Sequence, residues 1–425
     1  MTMKDTRKYK QTELGLLPED WEVAKLGEKF LFISNNTFSR DFLCEDGEIK
    51  NIHYGDVLIK YGSTLDVSQS DIPAINSEHL PSYRPKCFAE DGDIIIADTA
   101  EDETVCKATE LWNIGGKQVV AGLHTMWCRP AQNTFAIRFL GYFMNTSLYH
   151  NQVLPLIQGI KVSSVSKSAI QGTWLCIPPI EEQRRIASAL TCIDNLIDSL
   201  DRLIAKKRDI KQGAMQQLLS GKKRLKGFTE PWVEKKLGDV VTNSIGLTYS
   251  PNNVKKYGTL VLRSSNIKNG KLIFEDNVFV EMSIPERAKV HTNDLLVCVR
   301  NGSKALIGKS AVITKDAEGM AFGAFMTILR ANGIEQIFLN YYWQTDFIQK
   351  QVRDNMGATI NQITNADISD FDIYVPSSLP EQQAIASVLT SIDNELSALE
   401  AKRKKYEQIK RGMMQQLLTG RIRLN

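Results

Sequence analysis

The sequence predicts an α+β protein in which two mixed α/β domains are separated and joined by two long antiparallel coiled-coil helices, with pseudo-twofold symmetry and a circular order of segments. The first observation behind this prediction is a duplication, because residues 182–225 recur as residues 381–424 with 23 identities in 44 ungapped positions. An offset of 199 residues is too long for a solenoid and indicates two domain-sized copies. The second observation is a Trp…Leu-Gly segment that opens each copy, at Trp21 and at Trp232.

The duplication divides the chain into four segments. We predict a first domain over residues 1–176, a central helix over 177–226, a second domain over 227–374 and a C-terminal helix over 375–425. The two domain blocks share a skeleton, since Gly92-Asp-Ile-Ile-Ile aligns with Asn293-Asp-Leu-Leu-Val and Arg129 aligns with Arg330. Their loops differ, so we expect a common frame that carries different surface residues.

Length and composition limit the class of protein. The 425 residues suffice for two or three domains with their own cores. No apolar run approaches the ~20 residues needed to cross a bilayer, and the polar N-terminus has no apolar signal core, so we expect a cytoplasmic protein. Seven cysteines without a CxxC pair, and five histidines away from them, argue against a disulfide framework or a structural zinc site. We expect no metal and no cofactor in this chain.

Charge is unevenly distributed along the chain. The net charge is only +3, but residues 181–226 carry 11 Lys/Arg against 6 Asp/Glu, and residues 380–425 carry 8 against 5. The two globular blocks are therefore net negative together. If they bind nucleic acid, they must do so through local basic patches.

The duplicated segments predict long helices. In each copy, apolar residues alternate in steps of four and three, as in the seam of a coiled coil. About 40 residues of helix give a rod of ~60 Å, which favours a spacer over the alternative of a short hairpin that closes each domain. Glycines at matching positions inside the helices suggest a close helix approach or a kink, because glycine costs ~1 kcal/mol there relative to alanine. The expected spacer and subunit-interface residues are Ile186, Leu190, Ile193, Ile197, Leu200, Ile204 and Gly213 in the first helix, and Ile385, Leu389, Ile392, Leu396, Leu399 and Gly412 in the second.

The order of segments is circular. The first copy continues from its helix into the Trp232 segment, whereas the second copy stops where such a segment would follow. The corresponding segment lies at the N-terminus, around Trp21. We therefore expect both termini at the same end of the rod.

Two sets of short motifs mark the ends of the helices. They read IPPIEEQ (177–183) with MQQLLSG (215–221), and VPSSLPEQ (375–382) with MQQLLTG (414–420). With these motifs, the chain resembles over nearly its whole length the specificity subunit of a type I restriction-modification system. The resemblance implies that each domain is a target-recognition domain for one half of a split site in double-stranded DNA, and that the helices set the gap between the halves.

The same resemblance implies a set of partners. Two methyltransferase subunits would dock around a single copy of this chain, and restriction subunits would join them in the full complex. S-adenosylmethionine would belong to the methyltransferase subunits and ATP to the restriction subunits. The chain itself would be a DNA-binding subunit without catalytic residues.

Candidate DNA-reading residues lie in the divergent loops. Base edges are read by polar and charged side chains, whereas phosphate contacts position the protein. Loops 263–268 and 300–304 rank highest because several donors converge in them, although such residues in loops are commonly solvated or cap helices. The candidates are Lys60, Tyr61, Ser63, Arg84, Lys86, Lys117, Lys161, Ser163, Ser164 and Lys167 in the first domain, and Arg263, Ser264, Asn266, Lys268, Arg300, Asn301, Lys304, Thr359, Asn361, Gln362 and Asn365 in the second. Because the two loop sets differ, we expect an asymmetric target.

Three other readings are open to test. An enzyme is disfavoured, because GSKALIGKS (302–310) has five residues between its glycines where a phosphate-binding loop has four. A coiled-coil scaffold that does not read DNA would need no clustered donors in its loops. A DNA-reading subunit that serves a fused methyltransferase-nuclease differs only in its partner.

Overall fold

The computed structural model describes residues 8–83, 85–159, 162–357 and 361–424. It contains two compact units: the first unit comprises residues 1–201 with 401–425, and the second comprises residues 202–400. The boundaries between the units fall inside the two long helices. Each unit therefore combines one globular domain with a part of both helices.

The first domain is built from short strands and short helices. Its strands are β1 (Tyr9–Thr12), β2 (Gly15–Pro18), β3 (Glu22–Lys25), β4 (Phe30–Ile33), β5 (Leu43–Cys44), β6 (Ile49–Ile52), β7 (Thr64–Asp66), β8 (Ala74–Ile75), β9 (Ile94–Ala97), β10 (Thr99–Ala100), β11 (Ala108–Trp112), β12 (Gln118–Ala121), β13 (Thr125–Pro130), β14 (Ser163–Ser164) and β15 (Trp174–Ile177). Its helices are α1 (Leu26–Lys29), α2 (Tyr54–Ile59), α3 (Phe139–Met144), α4 (Ser147–Val153) and α5 (Lys167–Gln171).

The second domain follows the central helix α6 (Ile180–Leu218). Its strands are β16 (Trp232–Lys236), β17 (Val241–Ile245), β18 (Val254–Lys255), β19 (Thr259–Leu262), β20 (Ile267–Lys268), β21 (Lys271–Leu272), β22 (Phe279–Val280), β23 (Leu295–Cys298), β24 (Ser310–Val312), β25 (Ala321–Phe322), β26 (Met326–Ala331) and β27 (Asp372–Pro376). Its helices are α7 (Gln336–Tyr342), α8 (Asp346–Asp354) and α9 (Asn365–Ser369), and the chain closes with α10 (Leu379–Leu417).

The main sheets of the two domains share a topology. Their strand orders are β4-β13-β9-β11-β7 and β17-β26-β23-β24, so that β7 adds a fifth strand in the first domain. The central strands β9 and β23 are runs of aliphatic residues that are buried along their whole length. Aliphatic and β-branched runs of this kind suit a strand that is covered on both faces.

The aligned arginines and aspartates of the skeleton form the same ion pair in both domains. Arg129 Nε donates to Asp93 at 2.8 Å, and Arg330 Nε donates to Asp294 at 2.8 Å. Each aspartate is buried at the start of the central strand. Hydrogen bonding to the carboxylate raises the pKa of both arginines. The shared skeleton that the sequence predicts is thus a shared set of contacts.

The two long helices pair antiparallel within each unit. Both span 39 residues, or roughly 60 Å of helix. In the first unit Lys410 Nζ lies 2.6 Å from Asp194, and Arg403 pairs with Asp201. Residue numbers therefore increase along one helix where they decrease along the other. In the second unit Lys211 pairs with Asp393 in the same sense. The antiparallel pairing is confirmed within each unit.

Seam residues near the start of each helix also belong to a domain core. Ile186 and Leu190 pack into the core of the first domain together with Leu417 and Leu418. Ile385 and Leu389, with Leu218 and Leu219, pack into the core of the second domain. Since both helices contribute to each core, the domains are anchored on the helix pair by buried apolar surface.

The matching glycines of the helices call for a correction. A Cβ added at Gly213 or at Gly412 would meet no atom within 4 Å in the part of the chain that the structure describes. Both helices continue through these positions. The expectation that these glycines permit a close helix approach within this chain is therefore wrong.

None of the helices formed by the described residues combines the length and the apolar character of a membrane span.

Candidate nucleic-acid interface

A buried carboxylate fastens each end of the helix pair to its domain. In the first unit Trp21 Nε1 donates to Glu182 Oε2 at 3.0 Å, and Arg423 Nε donates to the other oxygen of Glu182. The same guanidinium makes two hydrogen bonds to Asp20, of 2.9 and 2.8 Å, and these bonds raise the pKa of Arg423. We call Asp20, Trp21, Glu182 and Arg423 the first clasp. It joins the chain's N-terminal and C-terminal segments, so the predicted circular order is confirmed.

The second unit repeats this arrangement. Trp232 Nε1 donates to Glu381 Oε1 at 3.4 Å, and Arg224 Nη2 donates to Glu381 Oε2 at 2.7 Å. We call Arg224, Trp232 and Glu381 the second clasp. Its carboxylate is fully buried, which requires the two donors to compensate its desolvation.

The glycine that ends each MQQLLxG motif packs against a clasp. Gly221 and Gly420 both adopt a positive φ, of 70° and 67°, a conformation that favours glycine at the end of a helix. A Cβ at Gly221 would lie 3.2 Å from the Trp232 ring, and one at Gly420 would lie 2.5 Å from Pro18. The motif therefore turns the chain where it must approach the tryptophan.

The glutamine that follows each clasp glutamate fixes the domain to the helix start. Gln183 Oε1 accepts a bond of 2.8 Å from the main chain of Ala136, and Gln382 Oε1 accepts one of 2.8 Å from Glu335. Their amide nitrogens donate to the main chain of Pro178 and Pro376. The Glu-Gln pair of both motifs is thus a pair of buried connectors.

A third repeated contact lies further along the helices. Tyr142 Oη donates to Asp194 at 2.7 Å, while Lys410 Nζ lies 5.5 Å from the tyrosine ring centroid. Tyr341 donates to Asp393 at 2.7 Å in the same way, with Lys211 at 5.5 Å from its ring. Burial raises the pKa of both tyrosines, so their hydroxyls remain donors. The two domains are held by matching contacts.

The loops at the end of the central strand converge in the second domain. Asn301 Nδ2 donates to Ser264 Oγ at 3.0 Å, which joins the two loops that the sequence ranks highest. Asn301 N donates to the main chain of Asn361 at 3.2 Å, and Arg300 forms an antiparallel bridge with Gln362. Five of the predicted DNA-reading residues therefore belong to one connected group.

Arg300 has a distinctive setting within this group. Its guanidinium carbon lies 5.0 Å from the ring centroid of Phe325, and Phe325 is 55% exposed. Among the described residues, no carboxylate lies within ion-pairing distance of Arg300. By contrast, Arg263 pairs with Asp276 at 2.8 Å. Arg300 is thus an oriented cation at the surface. We call Ser264, Arg300, Asn301, Phe325 and Gln362 the second-domain cluster.

The first domain has a cluster at the equivalent backbone position. The bonds Asp98 N to His124 O (3.1 Å) and Val165 N to Asp98 O (3.0 Å) match Val299 N to Phe325 O (3.0 Å) and Ile363 N to Val299 O (3.0 Å). Thr99 therefore corresponds to Arg300, His124 to Phe325 and Ser164 to Gln362. We call Asp98, Thr99, His124 and Ser164 the first-domain cluster.

The side chains of the first-domain cluster have their own contacts. Thr99 Oγ1 donates to Asp98 at 2.8 Å, and His124 Nδ1 lies 3.7 Å from the same carboxylate. The ring of Tyr54 meets the exposed imidazole of His124 edge-on, at 5.3 Å between centroids. A carboxylate, a hydroxyl and an imidazole thus stand where the second domain presents an arginine and a phenylalanine.

The other candidates of the first domain lie in several settings. Lys60 Nζ and Lys117 Nζ donate to main-chain oxygens of the turn at residues 67–71, and Lys167 Nζ lies 4.7 Å from the Phe32 ring centroid. Lys86 is exposed, whereas Ser163 and Ser164 form β14 against β10. Ser63 is half-buried and its main-chain oxygen accepts from Glu110 N.

Two candidates are buried, which argues for a supporting role. Tyr61 is 4% exposed, and burial raises the pKa of its hydroxyl. Asn266 is 0% exposed and binds the main chain of Arg263 and Ile273, so it shapes the 263–273 turn. Of the remaining second-domain candidates, Lys268 and Lys304 are exposed and Asn365 begins α9. Arg84, Lys161 and Thr359 lie outside the described residues.

Several residues of the two clusters were not predicted from the sequence. Phe325, His124, Thr99 and Asp98 were not candidates, because nothing in their local sequence distinguishes a surface aromatic from a core residue. The signal was present in the alignment, since Gly122 aligns with Gly323 and places His124 opposite Phe325. The GSKALIGKS segment contains one 3-10 turn (Lys304–Leu306) and runs directly into β24, so it does not open an α-helix as a phosphate-binding loop does.

The fold and the motifs of this chain recur in known proteins. The family described as Type I restriction modification DNA specificity domain matches residues 18–206 and again 229–411. The chain is 25% identical over 432 residues to the type I restriction enzyme MjaVIII specificity subunit of Methanocaldococcus jannaschii, covering 96% of this chain and 94% of that protein. It is 30% identical over 200 residues to the EcoKI specificity subunit of Escherichia coli, covering 45% of this chain and 43% of that one.

Solved structures with the same fold include the S subunit of a type I restriction-modification system from M. genitalium. It matches with a TM-score of 0.57 at 12% identity and covers 98% of both chains. A chain from a study of the assembly and conformational transition of the type I R-M system matches with a TM-score of 0.58 at 19% identity, over 96% of this chain and 99% of that chain. At these identities the likeness is one of fold.

Proposed function

The chain belongs to the family of type I restriction-modification DNA specificity domains, and we propose that each of its domains binds one half of an asymmetric, bipartite site in double-stranded DNA. The chain is a subunit that recognises a DNA sequence within a restriction-modification complex and is not the catalytic component. In this proposal the clusters and neighbouring loops contact DNA. The helix pair sets the gap between the two half-sites.

One observation carries the proposal. The two domains are attached to the helices by matching clasps and tyrosine contacts, yet they carry different side chains at the equivalent loop position. Arg300 and Phe325 stand in one domain where Thr99 and His124 stand in the other. Two domains that are anchored in the same way but carry different loop residues are suited to bind two different half-sites.

The helices support the second part of the proposal. Each is a continuous helix of 39 residues that belongs in part to both units. Half-sites on one face of B-DNA lie about one helical turn, ~34 Å, apart. A continuous helix pair keeps such a separation better than a flexible linker.

The partners follow from the family. We propose that one copy of this chain binds two methyltransferase subunits, because a duplicated chain offers two similar surfaces to one kind of partner. Restriction subunits would join them and supply ATP-dependent cleavage, while S-adenosylmethionine would bind to the methyltransferase subunits. Such a complex would act in the cytoplasm, where its DNA is.

The sites of DNA methylation test this function directly. The chain is expressed with its methyltransferase subunits, and modified bases are mapped by single-molecule sequencing. We expect a split, asymmetric motif with a fixed gap. A continuous motif would contradict a reader with two domains on a spacer, and the absence of any motif that depends on this chain would contradict sequence recognition.

A domain exchange sharpens that experiment. Residues 239–374 are replaced by the corresponding block of another family member, while the clasp residues Arg224, Trp232 and Glu381 stay in place. We expect one half-site to change, with the other half-site kept. If both half-sites stay the same, the loops of the second domain do not carry specificity.

A further inference from the structure

The second-domain cluster has the features of a base-reading site. Arg300 is exposed and has no acidic partner among the described residues, although its five N–H donors suit a pair of acceptors. The guanidinium is held against Phe325, at 5.0 Å from the ring centroid. The Phe325 ring is 55% exposed, so the cation and an apolar surface lie side by side where a bound target can contact both.

The main chain around Arg300 is preorganised. Arg300 bridges Gln362, and Asn301 connects Ser264 with Asn361 by bonds of 3.0 and 3.2 Å. These contacts tie three loops together at the end of the buried strand β23. A side chain that is oriented before binding loses less conformational entropy when it binds.

Arginine that is presented in this way has a preferred target on DNA. Two of its donors match the O6 and N7 acceptors of guanine in the major groove, which is the commonest specific contact to a base. A phosphate would also attract the charge, but it would not use the apolar ring beside it. Phe325 suits a base edge, such as a thymine methyl group, better than a phosphate.

The equivalent position of the first domain has a different chemistry. Thr99 and His124 replace the arginine and the phenylalanine, and the carboxylate of Asp98 lies beside them. A carboxylate accepts from base amino groups and repels the phosphate backbone. This position therefore does not present the two parallel donors that guanine requires.

We propose that Arg300, oriented by Phe325, reads a guanine in the half-site of the second domain. This inference rests on the proposed function and adds a specificity-determining residue to it. The first-domain cluster occupies the equivalent position in its own domain. Its Thr99 shows that the backbone at this position accepts a threonine, so threonine is a suitable replacement for Arg300.

The variant Arg300→Thr tests the proposal. The full chain in complex with its methyltransferase subunits is presented with a duplex library in which each base pair of both half-sites is randomised, and the bound sequences are counted. We expect the preference for guanine at one position of the second half-site to fall roughly 5- to 150-fold, with the first half-site unchanged. Arg300→Gln is expected to remove the same preference and to shift it toward adenine.

The alternatives give different results in the same experiment. If Arg300 contacts only a phosphate, Arg300→Thr weakens all sequences to the same extent, as we expect for the control Lys304→Ala. Such a uniform loss, or an unchanged sequence preference, would overturn the proposal. The proposed function is judged separately by the wild-type complex. If the wild-type complex selects no split motif, both the proposed function and this inference are wrong. If the wild-type complex selects a split motif but Arg300→Thr keeps the guanine preference, only this inference is wrong.

Discussion

The anchors and the loop clusters of the two domains have been kept to very different degrees. Tyr142 and Tyr341 make bonds of the same length, 2.7 Å, to matching aspartates, and the clasps repeat a tryptophan, a buried glutamate and an arginine. At the loop position, by contrast, Thr99 stands opposite Arg300. Contacts that hold a domain in place are restrained by packing on both sides, whereas exposed loop residues are free to differ. Under the proposed function, the matching contacts fix geometry and the differing loop residues read sequence.

The largest expected effect comes from the clasps. Glu381→Ala leaves the guanidinium of Arg224 and the indole N–H of Trp232 without their acceptor in a buried site. Breaking a buried charged pair costs roughly 3–5 kcal/mol in the free energy of unfolding. We expect losses of this size for Glu381→Ala and for Glu182→Ala, measured by urea unfolding.

A surface pair supplies the control for the clasp variants. Glu395 is 53% exposed and pairs with Lys207, so Glu395→Ala should change the free energy of unfolding by at most about 1 kcal/mol. Clasp variants as mild as this control would show that the repeated glutamates do not anchor the domains.

A pH effect is expected in the first domain. Burial raises the pKa of Glu110 to about 8, although main-chain N–H groups of Arg138 and Gly141 donate to it. The folded first domain thus holds a proton that the unfolded chain releases near pH 4.5. Its stability should fall as the pH rises from about 4.5 to 8, by up to ~1.4 kcal/mol per pH unit, and level off above.

The second domain serves as the control for this pH effect. In the first domain Glu110 pairs with Ile94 of the central strand, and in the second domain Val312 pairs with the equivalent Leu295. The second domain therefore has a valine in place of Glu110 and lacks this source of pH dependence. Hydrogen exchange at pH 5.5 and pH 8.5 would follow the two domains separately. Equal pH dependence in both domains, or a slope that persists in Glu110→Gln, would contradict the assignment.

The helix glycines give the smallest expected effect. A Cβ at Gly213 or Gly412 meets no described atom within 4 Å, so alanine should fit. Because glycine costs ~1 kcal/mol relative to alanine inside a helix, Gly213→Ala and Gly412→Ala should each stabilise the isolated chain by about that amount. Thermal unfolding of the single and double variants would measure it. A loss of stability would show that these positions need glycine for a reason within the chain, such as a bend.

The repeated parts of the molecule could be predicted from the sequence, whereas the loop clusters could be predicted only in part: Arg300 and Gln362 were candidates, but Phe325 was not. The duplication and the spacing of Ile186, Leu190 and their repeats predicted the helices, since periodic apolar residues report directly on a buried face. The Glu-Gln and tryptophan motifs recur in both copies of the sequence, but the hydrogen bonds of the clasps join residues up to 403 positions apart and became visible only in the fold. His124 and Phe325 were missed because their local sequence does not distinguish an exposed ring from a buried one.

We propose that the anchors set the geometry of the bound DNA site while the loop position sets its sequence. The most direct test introduces the loop residues of the second domain into the first domain. The triple variant Asp98→Val, Thr99→Arg and His124→Phe does this and leaves both clasps unchanged. Mapping the methylated motif of this variant in its complex should show a new preference for guanine at one position of the first half-site, with the gap and the second half-site unchanged. A motif identical to that of the wild type, or a changed gap, would contradict the claim.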